Sequence, residues 1–194
     1  MEMPVQDPIL ISFPEQFETE RLLIRAPLWG DGLAVNEAVH ESIEELKPWM
    51  PWAQRLPSVE ESEIEIRKSR LKFLERSDLR LLFFHKESGR LIGCSGLHRI
   101  HWQARRFEIG YWVRTSESGR GYVTEAAAGI TQFAAEELHA QRIEIRCDAK
   151  NAKSRAVAER LGFTREALLQ SDSCSPCGEL RDTLIYAKVR GRGL

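Results

Sequence analysis

The stretch SGRGYVTEAAAGITQFA, from Ser118 to Ala134, constrains this chain more than any other. Gly119 and Gly121 bracket one arginine exactly where a helical pattern begins. Glycine at a helix start costs conformational entropy, so it is used where the chain turns left-handed or where backbone must approach something closely. Upstream, Phe107, Ile109, Tyr111 and Val113 share one face by period two, and Glu108, Gly110 and Trp112 share the other. Downstream, Val123, Ala127, Ile130, Ala134 and Leu138 lie on roughly one helical face. A strand that feeds a glycine turn and then a helix leaves the first helical N–H groups unpartnered, at the positive end of the helix dipole. That arrangement suits a phosphate or pyrophosphate. Arg120 adds a cation beside it.

Two familiar phosphate loops do not match. A P-loop needs Lys and Ser/Thr after its last glycine, where this chain has Tyr122 and Val123. A dinucleotide fingerprint needs a third glycine early in a βαβ unit, but Thr124 stands there, late in the chain. On these residues alone, a tight turn that binds nothing remains an alternative.

The rest of the chain reads as a mixed α/β domain. TERLLIRAP is a first strand closed by Pro27, and Asp31 is placed to N-cap the helix that follows. Pro48, Pro51 and Pro57 interrupt the next segment. Ser58 to Glu61 forms a capping-box pattern opening a second helix, with Ile64, Leu71 and Leu74 at near-helical spacing. LRLLFFHK, LIGCSGLHRIHW and RRFEIGYWVR are strands, as is RIEIRC after the glycine-led helix. NAKSRAVAERLG is a short helix ended by Gly162, and FTREALLQ and LRDTLIYAKV close the chain. One domain spanning residues 1–194, with 1–16 as an N-terminal extension, is the simplest division.

Charge and cysteine usage exclude several classes. Lys plus Arg total 28 and Asp plus Glu total 29, so no global charge attracts nucleic acid. No apolar run has the length of a membrane span, and the N-terminus lacks the basic start and apolar segment of a secretory signal, which makes the cytoplasm the expected location. Cys94 and Cys147 sit in alternating apolar segments as buried thiols. Cys174 and Cys177, in CSPC, lack a second ligand pair for zinc and read as a loop, so no metal is expected.

The order strand, glycine turn, helix, strand, Asn-initiated helix and Leu-Gly-Phe strand resembles the Gcn5-related N-acetyltransferase family. The start FETERLLIRAP and the later LKPWMPWA are similar to its ribosomal-protein N-terminal acetyltransferase branch. The resemblance covers roughly residues 17 to 190. It implies an α/β fold of mixed α+β type: a central twisted, mostly antiparallel sheet of about seven strands flanked by about four helices. It implies acetyl-coenzyme A as donor. The backbone of Ser118, Gly119, Arg120, Gly121 and Tyr122 would wrap the pyrophosphate, Val113 and Arg114 would pair with the pantetheine arm, and Asn151 and Ser154 would face the same ligand. Ser116 stands where the family usually has a long polar residue.

Direct acyl transfer needs a neutral amine, a donor for the carbonyl oxygen and help for the departing thiolate. A backbone N–H near Val113 suits the oxyanion. Glu108 is the candidate base. His98 and His101 lie nearby, although lone histidines of this kind are commonly structural. Many family members carry a tyrosine before the Leu-Gly-Phe run. That slot here is Ala158, which leaves Ser154 as the candidate donor to the sulfur. Trp49 and Trp52 are candidate walls of the acceptor cleft. The acidic stretch Glu37 to Glu65 reads as solvated helix faces or as a rim attracting cationic acceptors. The acceptor expected is a protein N-terminal α-amine, with a polyamine, an antibiotic or an amino-acid-like amine as alternatives. A non-catalytic acyl-coenzyme A module and a homodimer stay open.

Overall fold

The computed structural model describes residues 7–194, so only part of the expected N-terminal extension falls within it. Eight strands form one sheet in the order β1-β2-β3-β4-β5-β6-β8-β7. These are β1 (Gln16–Glu18), β2 (Leu22–Arg25), β3 (Leu79–His85), β4 (Leu91–His101), β5 (Arg106–Val113), β6 (Arg142–Asp148), β7 (Thr164–Cys174) and β8 (Leu180–Val189). Four α-helices accompany them: α1 (Gly32–Leu46), α2 (Val59–Leu74), α3 (Tyr122–Glu136) and α4 (Ala152–Arg160). β1 is the strand that the sequence pattern does not reveal. It is three residues long and pairs only with β2.

Every pairing is antiparallel except β5 with β6. Those two pair only over Arg106–Glu108 with Arg142–Glu144. Beyond Glu108 the ladder is broken and the strands part, leaving a splay in mid-sheet. The period-two alternation of β5 sorts its side chains as the sequence implies. Phe107 and Ile109 join the larger apolar cluster with Ala127, Ile130 and Ala134 of α3 and with Val157 and Ala158 of α4. Trp112 joins the smaller one with Val35, Val39 and Ile43 of α1, Ile66 of α2, and Leu82 and Cys94.

Helix ends show where local pattern succeeds and where it fails. Ser58 accepts from Glu61 N and the Glu61 carboxylate accepts from Ser58 N, a complete capping box for α2. Asp31 precedes α1 but does not cap it. Its carboxylate is taken up by Arg25 at 2.7 Å and by the Leu28 N–H. The cap comes instead from α2, where Glu63 accepts from Gly30 N and Gly32 N, both at 2.9 Å. Ile64, Leu71 and Leu74 are exposed, and α2 buries Ser62, Ile66 and Phe73. The buried stripe is narrow, and its polar member Ser62 accepts from Asn36 Nδ2 at 3.1 Å. α4 ends at Arg160 with Leu161 as its C-cap, and Gly162, at φ +73°, supplies the left-handed residue after it.

Candidate active site

The splay gives a free strand edge. Arg114 N donates to Ile92 O of β4, and Gly110 O accepts from Ser95 Oγ on the same side. By strand alternation, the N–H and C=O groups of Ile109, Tyr111 and Val113 then point the other way, into the gap. An extended ligand arm can add there as a strand would. Val113 therefore lies on this unpaired edge. Arg114 does not. Its backbone N–H is committed to β4, and its buried side chain turns to α1, with Nη1 2.9 Å from Glu41 Oε2. It anchors the strand end and does not face the gap.

Beyond β5, Thr115–Glu117 makes one 3₁₀ turn and the glycine turn follows. Gly119 and Gly121 have φ of +78° and +83°, the conformation that favours glycine. A Cβ on Gly119 would meet no protein atom within 4 Å, so this face of the turn is open. Gly121 caps α3 without a side-chain hydrogen bond. Among the described residues, no side-chain or loop acceptor takes the N–H groups from Gly119 to Thr124. An anion held there would satisfy them. Tyr122 is buried, so its backbone rather than its ring serves the turn. Ser118 and Arg120 are exposed, and Arg120 lies 3.4 Å from Glu117.

A second cation at the turn comes from 99 residues away. Arg21 donates Nη1 to Arg120 O at 3.1 Å, and its guanidinium lies 4.3 Å from the centre of the Tyr122 ring. Glu125, in the first turn of α3, accepts Arg21 Nε at 2.6 Å. Burial alone would raise the Glu125 pKa, but hydrogen bonds from Thr19 and Arg21 hold it below the usual carboxylate value. Sequence reasoning missed Arg21. In the sequence it is one more arginine of the segment TERLLIRAP, with no pattern to tie it to the distant turn.

Glu41 fixes the other flank. It accepts from Ser116 N at 2.9 Å, from Arg114 and from Arg90. Burial opposes its ionisation, yet the bonds from Ser116 and Arg114 hold its carboxyl below the ordinary range. Three of the acids between Glu37 and Glu65 are thus bound in place: Glu41 by the turn, Glu61 by the α2 cap with Arg55, and Glu63 by the start of α1. These three are not a free rim, while Glu37, Glu44, Glu45, Glu60 and Glu65 are exposed on the helix surfaces.

One face of the sheet beside the gap lies toward α3 and α4. Asn151 caps α4, its Oδ1 accepting from Ser154 N at 3.0 Å. The Ser154 hydroxyl lies 3.0 Å from the Tyr111 phenol. Burial pushes that phenol up to about 12, with the Ser154 hydrogen bond opposing, so it stays protonated. Burial also raises the Cys147 thiol of β6, again with Ser154 opposing. Ala158 is fully buried in the larger apolar cluster, so a side chain in that slot would point into the core. The phenol at this site comes from β5 instead.

The opposite face carries the other candidates. Glu108 pairs across strands with His98 and, on β6, with Glu144. Burial raises its pKa, opposed by Arg99 at 3.4 Å, by Arg146 and by His98. His101 is exposed at the far end of β4. Trp52 is half exposed and tilts on Trp112 at 6.0 Å between ring centres. Trp49 lines a cavity of about 400 Å³ with Lys47, Gln54, Asp148, Cys177 and Arg181. Arg181 joins its walls, with Nε 3.2 Å from Asp148 and Nη2 donating to Pro48 O. The CSPC turn is thus a wall of this cavity, with Cys174 and Cys177 as free, exposed thiols. Among the described residues, no cluster of three metal-ligating side chains occurs.

The chain has relatives among known proteins, and its fold matches solved structures. The putative ribosomal N-acetyltransferase YdaF of Bacillus subtilis (strain 168) is 31% identical over 174 residues, covering 88% of this chain and 92% of that protein. The ribosomal-protein-serine acetyltransferase of Escherichia coli (strain K12) is 27% identical over 177 residues, covering 88% and 97%. The solved structure of RimL, a ribosomal L7/L12 alpha-N-protein acetyltransferase in complex with coenzyme A, superimposes with a TM-score of 0.84 at 23% identity, covering 90% of this chain and 98% of that one. The model of the acetyltransferase (GNAT) domain matches residues 21–164. The splayed β5–β6 edge, the glycine turn and the helix behind it thus belong to a chain that is a member of the GNAT acetyltransferase family.

Proposed function

We propose that this acetyltransferase moves acetyl from acetyl-coenzyme A directly to the α-amine of a protein N-terminus, such as that of a ribosomal protein. The observation that carries the reading is the two-sided splay. The free edge of β5 and the N-terminus of α3 can hold the pantetheine arm and pyrophosphate. Tyr111 and Ser154 stand on one face of the sheet, and Glu108 and His98 on the other. Donor thiol and acceptor amine can then meet in the gap from opposite sides. Such positioning is worth roughly 7–11 kcal/mol in favourable cases.

The shape of the acceptor side supports a polypeptide end. On this face β6 presents Arg142, Glu144, Arg146 and Asp148, and α1 and α2 pack over β3, β4 and β5. At the end of β6, beside Asp148, a cavity opens between the Lys47–Gln54 segment and the β7–β8 turn. An α-amine also asks little of the enzyme. With a pKa of about 7.7–8.0, roughly a tenth of it is neutral at pH 7. The names of the two curated relatives point to the same acceptor class, and the reading puts the chain in the cytoplasm, where ribosomal proteins are made.

The test is acetyl-coenzyme A with peptides carrying both a free N-terminus and one lysine, read by mass spectrometry. Label on the α-amine, with far slower lysine labelling and none after N-terminal blocking, supports the reading. Equal lysine labelling, or turnover confined to polyamines, overturns the acceptor and leaves the acetyltransferase.

A further inference from the structure

An imidazole lies on a floor of two glycines on the acceptor side of the gap. Gly96 of β4 and Gly110 of β5 are register partners. A Cβ at position 96 would come within 3.0 Å of His98 Cε1, and one at position 110 within 3.2 Å of Cδ2 and 3.5 Å of Nε2. Gly110 therefore leaves the His98 ring its place, and Gly96, whose Cβ would also strike Leu79 O at 2.7 Å and Arg80 Cα at 2.9 Å, lets the ring fold back along the sheet toward Gly110. Glu108 and Trp112 flank Gly110 on the same face of β5.

The ring is also oriented. His98 Nδ1 lies 2.7 Å from Asp78 Oδ2, just before β3. An ionised carboxylate only accepts, so the neutral ring carries its proton on Nδ1 and its lone pair on Nε2, the nitrogen above Gly110. The side chains of His98 and Asp78 are each 32% exposed, so a solute can reach them. A base held by a second group is the arrangement that activates amines and hydroxyls in many enzymes.

We propose that His98 is the base that takes the proton of the acceptor amine, that Asp78 is its positioning residue, and that Glu108 holds the incoming ammonium. This rests on the amine-acetyltransferase reading above. In the step, Nε2 takes one proton from R–NH₃⁺. The freed lone pair attacks the thioester carbonyl, the C–N bond forms and the C–S bond breaks. The nitrogen's second proton goes to the departing thiolate through Ser154, and the imidazolium returns its proton to solvent. An imidazole suits this better than a carboxylate, since their ordinary pKa values are about 6.5 and 4.3 against about 7.7–8.0 for the amine. The charged groups around the ring are Asp78 before β3, Arg80 of β3 as register partner of Gly96, Glu108 of β5, and Arg99, which pairs with Glu108.

The experiment compares His98→Gln, Asp78→Asn and Glu108→Gln with the wild type. It measures kcat and KM from pH 6 to 9.5 on two acceptors, a peptide with a free N-terminus and spermidine. Calorimetry with coenzyme A checks the fold of each variant. His98→Gln is expected to lower kcat at least tenfold at pH 6.5, with a deficit that shrinks as pH rises and the ammonium loses its proton unaided, on whichever acceptor turns over. Glu108→Gln is expected to act mainly on the acceptor KM. The wild-type rates on the two acceptors judge the acceptor reading, and the ratio of variant to wild type judges the base. Nitrogen NMR of the coenzyme A complex supplies a readout that needs no turnover: an Nδ1–H tautomer of His98, lost in Asp78→Asn. A pH-independent deficit, an Nε2–H tautomer in the wild type, or a shrinking deficit seen only in Glu108→Gln would overturn the proposal.

Discussion

The phenol oxygen of Tyr111 lies 3.0 Å from the hydroxyl of Ser154, joining the edge of β5 to the first turn of α4. The carbonyl of Ser154 is also within reach, at 3.2 Å. When the phenol donates to the hydroxyl, the serine proton is left to face the sulfur side of the gap. Under the proposed reading, the pair would supply the proton that a single tyrosine on the helix would otherwise give.

Tyr111→Phe should therefore lower kcat about tenfold, at the lower edge of general-acid effects, and leave the KM for acetyl-coenzyme A within twofold. Its stability profile gives a second check. The folded phenol titrates at about 12, above its ordinary value near 10. Its contribution is intact below pH 10 and is lost as pH rises toward 12. Thermal melts from pH 9 to 11.5 should fall more steeply for the wild type than for Tyr111→Phe.

Gly119→Ala separates binding from folding. The new Cβ meets no protein atom, so the cost to stability is the left-handed strain alone, about 1–2 kcal/mol. It does enter the open face of the turn. Calorimetry should show coenzyme A affinity reduced at least tenfold, with a melting temperature lowered by only several degrees. Unchanged affinity would remove the glycine turn from the ligand site.

Arg21→Gln tests the distant cation. A charge-assisted hydrogen bond contributes about 1.5–3 kcal/mol, so the KM for acetyl-coenzyme A should rise roughly ten- to a hundredfold. The wild-type KM should also rise with salt more steeply than the variant's, because a charge contact is screened. Steady-state kinetics at two salt concentrations check both points.

Glu41→Gln should loosen the Thr115–Glu117 turn. Its carboxylate is bonded to Ser116 N and Arg114, and losing the charge should cost about 1–3 kcal/mol. Because the folded pKa is depressed, the wild-type contribution is present above the ordinary carboxylate value and fades as pH falls through the folded one. Denaturant melts should show the two proteins converging below about pH 4 and differing fully at pH 7.

Much of this was legible in the sequence because it depends on neighbours along the chain. The alternation of Phe107 to Val113, the φ-permissive Gly119 and Gly121, the capping box at Ser58 and the cap at Asn151 are local, and each is realised in the structure. The failures are the places where a distant group outcompetes the local one. Asp31 goes to Arg25, so Glu63 caps α1. Ala158 points into the core, so the phenol comes from Tyr111.

The sequence by itself determined the order of elements, the glycine turn and which side chains of β5 share a face, because dihedral preference and period are properties of short segments. Tertiary structure alone decided which charges meet. Arg21 reaches Glu125 across 104 residues, and Arg114 reaches Glu41 across 73. It also decided that His98 rests over Gly96 and Gly110 with Asp78 behind it. A charge or a ring finds its partner by proximity in space, and sheet register and helix packing set that proximity once the chain has folded.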